Sequence, residues 1–209
     1  MSDKKIIALT FDDGPSDTTS MKVLSKLKKY GIPGSFFLIG QNITPEREYI
    51  VKEELAYGCD IENHSLTHSD MTTLDAETIR AEIEETSRRI VAITGKEPDF
   101  FRPPFILFND AMFENIPYIF IGGLPCNDWE PEVSAKERAR KVLDGARGNM
   151  LVLLHDSEGN DNTVDALDII IPELKNRGFE FVTLTELFRK AGIDRSNAKK
   201  IVYTCTDDQ

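Results

Sequence analysis

The sequence predicts an α/β fold in which a parallel sheet is covered by helices, either a (β/α) barrel or a doubly wound sheet. Three observations lead there. About seven short apolar runs alternate with amphipathic helical segments along the chain. No internal repeat or low-complexity tract breaks the alternation. The residues with catalytic chemistry stand directly after the apolar runs, and in both architectures the site lies at the carboxyl ends of the strands.

The first strand is Ile6-Ile7-Ala8-Leu9, continuing into Thr10-Phe11-Asp12-Asp13-Gly14-Pro15, where Gly-Pro stops it. Neighbouring side chains on an extended strand point to opposite faces. For Asp12 and Asp13 to share a site, the chain must bend, and the expected bend is Gly14-Pro15. Read alone, Asp-Gly-Pro is also ordinary turn chemistry with two solvated carboxylates.

Ser16, Asp17 and Thr18 are candidate N-caps for a helix carrying Met21, Val23, Leu24 and Leu27, which ends at Gly31. Ser35-Phe36-Phe37-Leu38-Ile39 reads as a buried second strand. Thr44-Pro45-Glu46 is a helix start with proline at the first helical position. That helix runs to about Tyr57, and Cys59 to Asn63 form the third strand. Asp75 caps an amphipathic helix with Ile79, Ile83, Ile90 and Ile93 on its apolar face, and Gly95 ends it.

Phe100-Phe101-Arg102 is a short strand halted by Pro103-Pro104. A short helix around Asn109 to Asn115 precedes the strand Tyr118-Ile119-Phe120-Ile121. Ser134 opens a helix to about Arg147, followed by Met150 to Leu154, the most apolar strand. Thr163 to Arg177 is helical, with Pro172 predicting a kink or a later start. Phe179 to Val182 is the last strand, and Thr185 caps a final helix to Gly192. The expected catalytic domain is 1–193. Residues 194–209 lose the pattern and are expected to be a tail or linker, with Ile201-Val202-Tyr203 as a candidate edge strand.

A length of 209 residues suits one domain, and a hydrophobic fraction of 40% allows a proper core. The net charge of -11 argues against a nucleic-acid partner and leaves neutral or basic polymers open. Three cysteines without C-x-x-C spacing support neither a disulfide framework nor a cysteine-rich zinc site. No apolar run is long enough to span a membrane. No signal-peptide apolar region is visible, so an intracellular protein or a mature or excised module is expected; the extracellular module is preferred. A monomer is expected.

The chain has only three histidines, and all follow strands. His64 and His68 follow the third at i, i+4 spacing, which on one helical turn would aim both imidazoles at one ion. His155 follows the sixth strand, in Leu154-His155-Asp156. Asp12 and Asp13 follow the first and Arg102 the fourth. Asp128 and Trp129, the single tryptophan, follow the fifth. Taken singly, a histidine pair is often structural, a buried arginine an ion-pair partner and a tryptophan core. Their coincidence on one face favours metal-assisted hydrolysis.

Thr10 to Pro15, His64-Ser65-Leu66-Thr67-His68, Arg102-Pro103-Pro104, Asp128-Trp129 and Leu153-Leu154-His155-Asp156 resemble, in order, the five motifs of the polysaccharide deacetylases. These are the NodB-homology proteins of carbohydrate esterase family 4. The resemblance covers about Lys4 to Gly192. It implies a distorted (β/α) barrel with about seven parallel strands and a divalent-metal-dependent hydrolase that removes acetyl groups from glycans. On these positions it implies Asp13, His64 and His68 as metal ligands, with zinc expected and cobalt or nickel as alternatives. It implies Asp12 as general base, oriented by Arg102, and His155 as general acid, paired with Asp128. The Phe105 backbone N–H would bind the oxyanion, and Trp129 and Leu153 would wall the acetyl methyl.

The family usually carries Tyr-Gly after Arg-Pro-Pro, and this chain has Phe105-Ile106. Phe120 to Trp129 and Phe181 to Phe188 resemble the acetylxylan esterase branch, so O-deacetylation of acetylxylan is the expected activity. N-deacetylation of chitooligosaccharide or peptidoglycan is the alternative with the same chemistry. A phosphohydrolase with an aspartate nucleophile is disfavoured because that site spaces two Asp by one residue. A non-catalytic glycan-binding module would have no need of both Asp12 and His155.

Overall fold

The structure, a computed structural model, describes residues 5–208. At its centre lies strand β1, Lys5–Gly14. Its apolar run is continuous because both faces are covered. Ile7, Leu9 and Phe11 pack outward with residues of the surrounding helices, whereas Ile6 and Ala8 join a separate inner cluster with Phe37, Leu151 and Phe188.

The other strands are β2 (Ser35–Leu38), β3 (Asp60–Asn63), β4 (Phe100–Phe101), β5 (Ile119–Phe120), β6 (Leu124–Pro125), β7 (Met150–His155) and β8 (Phe179–Phe181). They line up as β5-β4-β3-β2-β1-β7-β6, with β8 paired to the start of β1. Every strand pairing is parallel. Around them lie α1 (Ser20–Tyr30), α2 (Glu48–Ala56), α3 (Ala76–Thr94), α4 (Asp110–Asn115), α5 (Ala135–Gly145), α6 (Asp161–Asn176) and α7 (Leu184–Ala191).

Among the described residues no pairing joins β5 to β6, so the barrel is distorted and open there. The C-terminal segment crosses that region. Tyr203 N donates to Phe120 O at 2.9 Å, Gly122 N to Tyr203 O at 2.8 Å, and Thr206 N to Asn149 O at 3.0 Å. Tyr203 is 1% exposed and packs edge-on against Phe188.

Several boundaries differ from expectation. β6 is an additional two-residue strand, too short to show a pattern. α2 begins at Glu48, because Thr44 to Arg47 form a turn first. α6 begins at Asp161 and runs through Pro172 rather than starting later. The cap of α7 is Thr183, whose Oγ1 accepts from Glu186 N at 3.3 Å, while Thr185 N donates to Asp60. Asp75 and Ser134 cap α3 and α5 through side-chain oxygens, as the sequence predicts, and Asn109 caps α4 in the same way. The three cysteines are free and buried. No helix among the described residues is long and apolar enough to cross a membrane.

Candidate active site

Asp12 and Asp13 do come to one site, but the bend lies one residue earlier than expected. β1 continues through Gly14, and its register with β2 slips between Asp12 and Gly14. Asp13 takes φ 76, the left-handed region that aspartate tolerates better than most residues. This bulge turns two adjacent carboxylates toward one ligand space.

His64 and His68 also converge, without the expected helical turn. The segment after β3 is a loop in which Ser65 (φ 65) and His68 (φ 58) are both left-handed. His64 Nε2 and His68 Nε2 each lie 3.5 Å from Asp13 Oδ1. His64 Nδ1 contacts Arg102 O at 2.7 Å, which fixes the ring and leaves Nε2 facing the carboxylate.

Two buttresses of this loop were not legible in the sequence. Glu82 of α3 accepts from Leu66 N and Thr67 N, both at 2.9 Å, and from Thr67 Oγ1 at 2.9 Å. Asn63 accepts from Ser65 N at 2.8 Å and donates to Ile83 O and Ser87 Oγ on the same helix. Glu82 falls on the helical face between Ile79 and Ile83, and a charge interrupting an apolar stripe was the available signal.

Arg102 is fully buried and forms an ion pair with Asp12 Oδ1. It also donates to Thr10 Oγ1 at 2.8 Å and Gly122 O at 2.6 Å, and its guanidinium stacks over Phe37. Burial lowers its pKa, and the Asp12 charge opposes that. Across the site, His155 Nδ1 meets Asp128 Oδ1 at 2.8 Å. Burial pulls His155 down, but Asp128, with Asp12 and Asp13, outweighs it and raises the imidazole to about 9.

A further unanticipated residue is Arg138, 1% exposed. It donates to Thr163 Oγ1, Glu130 O and Val133 O at 2.8–2.9 Å, and thereby ties the loop bearing Asp128 to the start of α6. Thr163 Oγ1 in turn donates to Asp128 Oδ2 at 2.8 Å.

Asp12, Asp13, His64, His68 and His155 line one cavity of about 360 Å3, together with Pro103, Phe105, Ile106, Trp129 and Leu153, while Arg102 and Asp128 are buried behind it. Its floor is polar and its walls apolar. Trp129 is 53% exposed and stands edge-on to His155 at 5.6 Å. Phe105 is 64% exposed and stands edge-on to His68 at 4.7 Å. A larger cleft of about 770 Å3, around Lys5 and Asn149 at the opposite ends of the strands, has no comparable set of groups.

The three residues Asp13, His64 and His68 fit a divalent ion. Their ligand atoms lie within 4.8 Å of one another, and Asp13 Oδ1 is buried without a hydrogen-bond donor. Burial would raise the Asp13 carboxyl, yet His64 above all, then His155 and His68, lower it to about 2, so it is an anion at neutral pH. One carboxylate and two imidazoles leave coordination positions open, as catalytic rather than structural sites do.

A polysaccharide deacetylase family model matches residues 1–117. The chain belongs to the polysaccharide deacetylase family. It is 46% identical over 198 residues to a bifunctional xylanase/deacetylase of Pseudobutyrivibrio xylanivorans, covering 95% of this chain and 33% of that protein. The chain thus spans about a third of that relative. A peptidoglycan-N-acetylglucosamine deacetylase of Bacillus cereus is 35% identical over 196 residues, covering 90% of both chains. Among solved structures, the Xyl-CE4 domain of a multidomain xylanase from the hindgut metagenome of Trinervitermes trinervoides superposes with a TM-score of 0.95 at 43% identity, covering 99% of this chain and all of that one. A family 4 acetyl xylan esterase from Clostridium thermocellum, in complex with a cobalt ion, superposes at 0.92 with 41% identity, covering 96% and 98%. The distorted barrel of this family member is therefore the architecture of those two solved structures.

Proposed function

We propose that the chain is a divalent-metal-dependent esterase that removes O-acetyl groups from acetylated xylan. One observation carries the chemistry: a buried, donor-less Asp13 Oδ1 between two imidazoles, with the Asp12 of an Arg102–Asp12 pair and the His155 of an Asp128–His155 pair opening on the same cavity. The xylan assignment rests on the likeness to the xylanase/deacetylase and the acetyl xylan esterase.

Asp13, His64 and His68 would hold the ion, zinc in our reading because imidazole and carboxylate suit it. When bound, such an ion supplies Lewis acidity toward a water and toward the acetyl carbonyl. Asp12 lies against this group, its Oδ2 3.8 Å from His64 Nε2, and takes the proton of the attacking water. Arg102 holds Asp12 in place through its anchors on Thr10 and Gly122. The tetrahedral oxyanion falls beside the backbone N–H of Phe105, at the turn whose other hydrogen bonds run from Ile106 N to Pro103 O and Leu107 N to Pro104 O. His155 gives a proton to the departing sugar oxygen, and Asp128 keeps that imidazole charged and aimed. Trp129 and Leu153 receive the acetyl methyl.

A second reading, N-deacetylation of an N-acetylglucosamine polymer, is favoured by the Bacillus cereus relative. The two separate by acetate release from acetylated xylan and from acetylated chitooligosaccharides, each with and without chelator. Release from xylan that stops on chelation and returns with zinc is the expected result. Release from the chitooligosaccharide alone sinks the xylan assignment, and release indifferent to chelator sinks the metal mechanism.

A further inference from the structure

Two consecutive residues at the rim of the cavity adopt a backbone that favours glycine. Phe105 has φ 58 and ψ 8, and Ile106 has φ 56. For a β-branched side chain this region is a marked outlier, and such outliers cluster where the side chain has a task. Nothing in the turn itself requires isoleucine. Its hydrogen bonds, from Ile106 N to Pro103 O and from Leu107 N to Pro104 O, are backbone only and would serve glycine equally. What isoleucine adds is an apolar, branched wall on the cavity that holds the catalytic groups.

The position of that wall says what it meets. Trp129 stands beside His155, and together with Leu153 it encloses the acetyl methyl in the reading given above. Phe105 stands beside His68, so the Phe105–Ile106 turn walls the cavity next to a different floor residue. With the methyl against one wall, the sugar ring that bears the ester extends along the other. Pro103, Phe105 and Ile106 offer that ring side chains without a polar atom. A pentopyranose presents only a ring CH2 at the carbon where a hexopyranose carries a hydroxymethyl arm. The arm would need both room and a hydrogen-bonding partner, and a hydroxyl placed against apolar side chains without one is disfavoured.

We infer that Ile106 is a specificity-determining residue that selects an acetylated pentopyranose, as in xylan, over the corresponding hexopyranose. The inference rests on the esterase reading of the site. It accounts for a strained β-branched residue where glycine would be easier: the strain holds the selecting side chain in the cavity.

The test compares two substrates acetylated at the same ring positions, 2,3-O-acetylated xylobiose and 2,3-O-acetylated cellobiose with its 6-hydroxyls free, so that the esters match and the difference is the hydroxymethyl arm on each ring. The wild type, loaded with zinc, is expected to prefer the xyloside in kcat/KM by about tenfold or more, the discrimination a single well-placed steric group provides. Ile106→Gly is expected to abolish most of this preference, the ratio of the two kcat/KM values falling toward one, with the melting temperature of the metal-free chain at or above wild type. Ile106→Ala, which trims the side chain without freeing the backbone, should move the ratio in the same direction, and it carries the test if the glycine variant does not fold. An unchanged ratio in both variants, or equal rates on both substrates in the wild type, overturns the inference and leaves the esterase reading standing. A wild type that releases acetate from neither substrate overturns both.

Discussion

A single carboxylate, Asp128, grips His155 twice: Oδ1 meets the ring Nδ1 at 2.8 Å, and Oδ2 accepts the His155 backbone N–H at 2.7 Å. Such a grip fixes the ring and leaves Nε2 as the one imidazole nitrogen free to reach a leaving group. It also favours the charged imidazolium, so that His155 keeps its proton to about pH 9 despite burial, which acts the other way.

The pH profile of acetate release follows. His155, the proposed general acid, holds its proton below about pH 9, so the rate is expected to decline as pH rises past that value. Asp128→Asn removes the charge and should move this limb downward, toward the ordinary histidine value near 6.5. The stability linkage has the same sign. A folded value raised above the unfolded one contributes stability that is complete below about pH 6.5 and is lost as pH rises through about 9. Asp128→Asn should therefore cost more stability at pH 6 than at pH 10, read by denaturant melts at both; a uniform loss contradicts the assignment.

Asp12→Asn should reduce turnover by roughly 10^2- to 10^4-fold, the range for a lost general base. Zinc affinity should hold in calorimetric titration, because the ion is assigned to Asp13 rather than Asp12. Loss of metal together with activity would reassign Asp12 as a ligand.

His64→Ala is expected to lose tight metal binding outright. Glu82→Ala touches no ligand, yet it frees Leu66 N, Thr67 N and Thr67 Oγ1 in the loop that carries His68. Its zinc affinity should fall by about 10- to 100-fold, the usual effect of removing an outer support. Wild-type affinity in the Glu82 variant would show that the loop holds itself.

Tyr203→Ala opens a cavity where the C-terminal segment meets β5 and α7. Truncation of a buried aromatic costs about 3–5 kcal/mol, so the chemical-denaturation midpoint should drop accordingly. A chain ending before residue 194 should be destabilised in the same way, whereas unchanged stability would mark the segment as dispensable.

Much of the fold is written locally. Ile6 to Leu9 and Met150 to Leu154 announce strands buried on both faces, and Asp75, Asn109 and Ser134 announce helix starts, because these signals depend only on near neighbours. The short β6 was not readable, since two residues carry no periodicity; of the candidate edge strand Ile201-Val202-Tyr203, only Tyr203 forms a bridge, to Ile121, a partner some eighty residues away that no local pattern identifies. The boundary of α6 at Asp161 and the Thr183 cap were misplaced for a related reason: several polar residues there could each start a helix, and packing chose among them.

The candidate residues of the site were likewise nameable from the chain: Asp12, Asp13, His64, His68 and His155 line one cavity, with Arg102 and Asp128 paired to Asp12 and His155 behind it, because strand ends of a parallel sheet share a side. Tertiary structure alone decided how they meet. The left-handed Asp13 bulge, rather than Gly14-Pro15, turns the carboxylates together, and a loop braced by Glu82 and Asn63, rather than a helical turn, presents the histidines. Such conformations raise local energy and survive only where distant elements supply the compensating hydrogen bonds and packing, which no window of sequence contains.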